Sequence, residues 1–275
     1  MGGVRIPPPA GHLEYTWNRL CKSTVIDTTN VLEYYSSSPK KAWGWSELPC
    51  IAPPFQEMFL EAKITPAVKL NLTNPREDGH TLADSFGCLV LSNKKEEGWT
   101  SAATLIGAAD KSEIISQVFL NIDADGRLSK EDSSHTMASA WGDFFRGLGL
   151  DGSAISRSLF MSFFLAVSFM HCKNVILNKT CIPEGLRKKH LRKTGTFVHD
   201  FHTLEIRPMR KVLDSNRTSG ESLQHALHIC RGHFKDYRQS GLFGKAKGVF
   251  WWDNHLRGNI EVGHISKDYK VMANA

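Results

Sequence analysis

The residues best suited to chemistry are concentrated in the last fifth of the chain. The segment LHICRGHFKDYRQSGLFGKAKGVFWWDNHLRG at 227–258, followed by HISKDYKV at 264–271, combines His, Arg, Lys and Tyr with aromatic and glycine residues. Such side chains bind phosphates and exchange protons near neutral pH. No other part of the sequence has a comparable density of them, so we expect a site for an anionic ligand here.

A strand over 226–237 would place several of these residues in rows, because successive side chains of a strand point to opposite faces. Arg231, His233, Lys235 and Tyr237 would share one face, and His228 would lie on the other. This arrangement predicts His228, His233 and Tyr237 as acid–base groups, and Arg231 and Lys235 as phosphate clamps. The alternative is the polar, solvated face of an antiparallel strand.

Further basic and aromatic residues follow in the same region. His255, Arg257 and Lys267 are predicted to add phosphate contacts. Trp251 and Trp252 would point to opposite faces of a strand, which favours one of them in the core. The other could stack on a base, although ordinary packing is the commoner role. This set resembles that of metal-independent ribonucleases, so no cofactor is predicted.

One acidic stretch, NIDADGRLSKED, matches part of a calcium-binding loop. Asn121, Asp123, Asp125 and Asp132 fall at ligand positions of an EF-hand. However, the segment before it, EIISQVFL, is typical of a strand rather than the helix that an EF-hand requires. Asp125 and Gly126 equally indicate a hairpin turn, and we prefer that interpretation.

Charge is unevenly distributed along the chain. Residues 183–275 contain 17 Lys and Arg against 9 Asp and Glu, and eight of the twelve histidines. Residues 1–182 contain 17 Lys and Arg against 19 Asp and Glu. A basic, histidine-rich part favours an anionic partner, of which nucleic acid is the commonest, and the alternative is surface charge that maintains solubility.

The pattern of apolar residues predicts an α+β fold, with mixed, mainly antiparallel sheets around a buried apolar helix at about 153–171. Strands are expected at 56–64, 86–92, 113–122, 174–178, 196–208, 226–237, 247–252 and 261–271, and a second helix at about 134–149.

We expect one domain over 1–275 with a Gly/Pro-rich arm at 1–12. The alternative is a division into a β-rich part with core helices, 13–182, and a basic part, 183–275. The first residues lack the apolar segment of a secretory signal, so cytoplasmic localisation, free cysteines and no membrane association are predicted.

Two stretches resemble an uncharacterised family of bacterial and bacteriophage proteins. They are APPFQEMFLE at 52–61 and the string HICRGHF…GLFG…FWW…HLRG…KDY at 228–269. The resemblance implies that the protein belongs to a phage or mobile element and is cytoplasmic, and it implies no particular activity.

Two functional hypotheses follow from these observations. The leading one is a protein that acts on nucleic acid, RNA in particular, and that could cleave phosphodiesters without a metal. RNA is favoured because strand-borne basic and aromatic residues suit unstacked bases, and no helix-turn-helix or zinc-finger pattern is present. The alternative is a non-catalytic protein that binds a protein partner, in which the C-terminal motif is a packing signature.

Overall fold

The computed structural model describes residues 19–37, 44–66, 68, 85–108, 112–129, 134–137, 143, 146, 151–195, 198–207, 226–230, 232–253, 255–257 and 259–264. The chain forms two compact units. The first, here called the sheet unit, contains residues 1–171 and 175–205, and the second, the C-terminal unit, contains 172–174 and 206–275. The arm predicted at 1–12 lies outside the described residues.

The sheet unit is built on one mixed, eight-stranded sheet with strand order β6-β5-β4-β3-β2-β1-β8-β7. Its strands are β1 (Thr24–Asp27), β2 (Glu57–Lys63), β3 (Ser85–Lys95), β4 (Gly98–Ala108), β5 (Ser112–Ile122), β6 (Ser134–Met137), β7 (Val175–Thr180) and β8 (Phe201–Ile206). The central strand β1 pairs in parallel with β2 and β8, whereas β2 through β6 form an antiparallel meander. The predicted α+β class is confirmed.

Apolar residues on both faces of the central strands explain why this sheet is buried. On β2, Met58 and Leu60 are fully buried on one face. Phe59 lies on the other face and packs in a cluster with Leu89 and Ile106 of the neighbouring strands. Strands that are covered on both sides have apolar residues at consecutive positions, as β2 has at 58–60.

Three α-helices and one short 3₁₀ helix are described. They are α1 (Thr29–Ser37), the 3₁₀ helix Trp45–Glu47, α2 (Gly152–Met170) and α3 (Glu184–Thr194). Asp151 caps α2, because its carboxylate accepts hydrogen bonds from the N–H groups of Ser153 and Ala154 at 2.9 and 3.2 Å.

Helix α2 is the buried apolar helix that the sequence predicts. Phe163, Phe164 and Phe169 are at most 1% exposed. The Ser156 hydroxyl donates a hydrogen bond to Ser116 of β5 at 2.7 Å, and the Ser168 hydroxyl donates one to the Cys50 carbonyl at 2.8 Å. By length and composition α2 could cross a membrane, but most of it is buried in the protein, which is typical of a core helix.

The helix predicted at 134–149 is wrong at its start. Ser134–Met137 form β6, which pairs with β5 from Ser116 to Phe119. Pairing with an existing sheet edge overrides local helix preference in so short a segment.

The C-terminal unit contains two small sheets. Its strands are β9 (Ala226–Cys230), β10 (His233–Asp236), β11 (Val249–Trp252), β12 (His255–Arg257) and β13 (Asn259–His264). Strands β10 and β11 form an antiparallel hairpin, and the other three pair in the order β12-β9-β13.

A buried asparagine holds the hairpin of the C-terminal unit in place. The amide group of Asn174 donates hydrogen bonds to the carbonyls of Trp251 and Arg207, at 2.8 and 3.0 Å. Its side-chain oxygen accepts the Trp251 N–H at 2.9 Å. Asn174 thereby completes backbone hydrogen bonding on β11 that would otherwise be left unsatisfied.

Candidate nucleic-acid interface

The strand predicted at 226–237 is two strands rather than one. The segment ends as β9 at Cys230 and resumes as β10 at His233, and the two halves pair with different partners. The alternation that would have placed His228 and His233 on opposite faces of one strand therefore does not apply. Arg231 lies outside the described residues, as does Lys267.

Strand β9 brings two of the predicted site residues to adjacent positions. In the antiparallel register of β9 and β12, His228 is paired with Arg257, and Cys230 is paired with His255. Directly paired residues on antiparallel strands have backbones about 5 Å apart. His228 and Arg257 are thus neighbours in one small sheet, separate from the strand that carries His233 and Lys235.

The predicted site residues of the β10–β11 hairpin make different kinds of contact. The Lys235 ammonium lies 4.5 Å from the centre of the Trp252 ring, which is a cation–π contact. Tyr237 packs against the apolar pair Leu242 and Phe250, so its ring belongs to a local core. His233 is paired with Trp252 in the hairpin register.

Charge on this hairpin is partly neutralised within it. The Arg238 guanidinium donates hydrogen bonds to both carboxylate oxygens of Asp236, at 2.6 to 3.0 Å.

Trp251 is 1% exposed and forms an edge-to-face contact with Phe234. Trp251 is therefore the core member of the tryptophan pair, as one of the two was expected to be.

The densest positive charge that the structure describes is on α3, in the sheet unit. Its sequence, EGLRKKHLRKT, contains five Lys and Arg in eleven residues and has no buried residue. These cations are part of the basic excess of residues 183–275, but no site was predicted on them. The missed signal was charge density on a segment that has no apolar face to bury.

Local interactions allow so polar a helix to form. Glu184 lies in the first turn and is paired with Lys188 one turn later at 3.4 Å. Arg192 and Lys193 lie in the last turn, where positive charge is favourable at the C-terminus of a helix. Gly195 ends the helix in a left-handed conformation, with φ of 71°.

Asp200 attaches the inner side of α3 to the rest of the sheet unit. Its carboxylate accepts hydrogen bonds from the Arg187 guanidinium and from the Ile182 N–H, the latter at 2.8 Å. The Lys179 ammonium lies 3.7 Å away. The hydrogen bond from Ile182, together with the bond and charge of Arg187, lowers the pKa of Asp200 below its ordinary value.

The outer side of α3 is a basic face, which consists of the exposed residues Lys188, Lys189, Arg192 and Lys193. Residues three and four apart on a helix are surface neighbours, so Lys189, Arg192 and Lys193 lie side by side. No carboxylate among the described residues forms an ion pair with these three. The basic face can therefore accept several phosphates.

The acidic stretch at 121–132 forms a hairpin turn over the part that is described. The Asp123 N–H donates to the Arg127 carbonyl at 2.9 Å, and the Asp123 carboxylate accepts the Arg127 N–H at 2.8 Å. Ile122 bridges to Leu128, and Asn121 accepts the Ser129 N–H. This geometry agrees with the turn interpretation. Asp125 is exposed, and Asp132 lies outside the described residues.

Comparisons with known proteins add little to this geometry. No protein-family profile matches the chain, and no curated protein matches it. Among solved structures, the chain is similar to the crystal structure of AcrVA2, with 14% sequence identity over 87% of this chain and 72% of that chain, and a TM-score of 0.31. A TM-score this low does not establish a common fold, so the function must be argued from the residues of this chain.

Proposed function

We propose that the protein binds nucleic acid through the basic face of α3. The observation that carries the proposal is the exposed row of Lys188, Lys189, Arg192 and Lys193 on a helix that buries nothing. Because α3 contributes no residue to the core, its basic face is free to bind a ligand. The contact of Arg187 with Asp200 holds it without using any residue of the basic face.

Phosphate binding by this face releases counterions from the nucleic acid, so the affinity depends strongly on salt. If the four cations neutralise four phosphates of a single strand, log K falls with log salt at a slope of about −3. Fluorescence anisotropy with a labelled, unstructured RNA oligomer measures this slope. Absence of binding at about 50 mM salt would contradict the proposal and favour the alternative, a protein that binds a protein partner.

Phosphodiester cleavage is a second candidate function, and the β9–β12 register favours it. His228 and Arg257 occupy paired positions in this register, and histidine and arginine are the residue types that metal-independent cleavage uses for proton transfer and phosphate binding. His228→Ala should lower a cleavage rate by about 10²–10⁴-fold. Intact RNA after prolonged incubation with the wild-type protein in EDTA would exclude this activity and leave binding by α3 unaffected.

A further inference from the structure

A tight turn near the end of the β10–β11 hairpin presents an aromatic ring to solvent. Leu242 and Ala246 exchange backbone hydrogen bonds at 2.7 and 3.1 Å, and the Lys245 N–H also donates to the Leu242 carbonyl at 3.1 Å. Leu242 is buried against Phe250, whereas the next residue, Phe243, is 67% exposed. The ring is thus displayed on a turn that is fixed by hydrogen bonds.

Phe243 also has an unfavourable backbone conformation. Its φ is 54°, in the left-handed region, and among the described residues it is the single non-glycine with positive φ. Gly241 and Gly244 in the same turn have φ of 72° and 69°, which glycine adopts without steric conflict. Glycine or asparagine at 243 would form this turn more easily than phenylalanine, so the turn itself does not explain the ring.

Strained residues and exposed large apolar side chains are both enriched where proteins bind ligands. Lys245 and Lys247 are exposed in the same loop, so the ligand that fits combines a flat apolar surface with negative charge. Unstacked bases on a phosphate backbone have both properties. Trp252, the other candidate for stacking, already contacts the Lys235 ammonium through its ring.

We propose that Phe243 is a base-stacking residue for single-stranded nucleic acid, with Lys245 and Lys247 binding the adjacent phosphates. This inference rests on the proposed nucleic-acid binding and specifies its substrate as a strand with accessible bases. Stacking on an aromatic side chain is tolerant of sequence, so little preference among the four bases is expected.

The test compares the full-length protein on two oligomers of equal length and charge, an unstructured RNA and an abasic phosphodiester strand. Wild-type protein should bind the RNA at least about tenfold more tightly than the abasic strand, because only the RNA can stack. Phe243→Asn should reduce RNA affinity to the abasic level and leave abasic binding unchanged. Asparagine tolerates the left-handed region, so the variant should melt at or above the wild-type temperature.

Two further variants serve as controls. Phe243→Trp keeps an aromatic surface and should retain the preference for RNA. Phe119 is also an exposed phenylalanine, 48% accessible, but it lies on the regular strand β5. Phe119→Thr should leave both affinities unchanged.

Equal wild-type affinity for the two oligomers, or an RNA preference that survives in Phe243→Asn, would overturn the stacking role and leave the proposed function standing. A lower melting temperature for Phe243→Asn would show that the ring packs, and would overturn the inference as well. Failure of the wild-type protein to bind either oligomer would overturn the proposed function, and this inference with it.

Discussion

The guanidinium of Arg187 donates a hydrogen bond to the carboxylate of Asp200, and this contact ties α3 to the residue that precedes β8. Arg187 also donates through Nε to the Ile182 carbonyl at 3.0 Å. One arginine of α3 is thereby used for attachment, while the cations of the basic face remain directed to solvent.

The Asp200 contacts predict a specific pH dependence of stability. Because the folded state lowers the pKa of Asp200 below its unfolded value of about 3.9, the stabilisation is complete above that pH. It is lost as the pH falls through the folded pKa. Asp200→Asn should therefore melt earlier than wild type at pH 7, with a smaller difference in melting temperature at about pH 3. Equal differences at the two pH values would contradict this role of Asp200.

The phenylalanines of α2 should each contribute strongly to stability. Phe164→Ala leaves a cavity at a position that is 0% exposed and should lower the free energy of unfolding by about 3–5 kcal/mol. Phe119→Ala, at an exposed position, should change it by about 0.5 kcal/mol or less. Chemical denaturation of the two variants measures both values, and similar effects from the two would contradict the assignment of α2 to the core.

Asn174 should be essential to the C-terminal unit. Asn174→Asp replaces the amide group that donates to the Trp251 and Arg207 carbonyls by a buried carboxylate that can only accept. We expect a loss of about 3 kcal/mol or more, because the unpaired carbonyls and the buried charge both oppose folding.

Asn178 provides the control for this prediction. It is exposed and bonds only the Glu205 carboxylate among the residues described here, at 2.7 Å. Asn178→Asp should change the free energy of unfolding by about 1 kcal/mol or less, since exposed charges interact weakly. Tryptophan fluorescence during denaturation reports on both variants, and an unaffected Asn174→Asp would contradict the structural role given to Asn174.

Apolar patterning predicted much of the sheet unit. Their content of β-branched and aromatic residues identified β2, β3 and β5, and the nearly uniform apolar character of 153–171 identified α2, because such residues suit strands and buried helices respectively. Strand β4 was missed since Ser101, Ala102, Ala103 and Gly107 have little strand preference of their own. That strand exists because β3 and β5 pair with it on either side.

The candidate site was harder to predict, for two physical reasons. Period-two alternation at 226–237 contains no information about where pairing partners change, and the change after Cys230 separates His228 from His233. The conformation of α3 depends on the Glu184–Lys188 pair, the Asp200 attachment and the Gly195 cap rather than on an apolar face. Periodicity therefore gives no signal for it.

The most direct test of nucleic-acid binding through α3 compares two triple variants that remove equal charge from the sheet unit. One removes the unpaired cations of the basic face, Lys189→Gln/Arg192→Gln/Lys193→Gln. The other removes exposed lysines elsewhere in the same unit, Lys22→Gln/Lys94→Gln/Lys95→Gln. The slope of log K against log salt for RNA binding should become shallower by about 2 in the first variant and stay close to wild type in the second. Equal slopes in the two variants would show that binding follows net charge alone, and would contradict a site on α3.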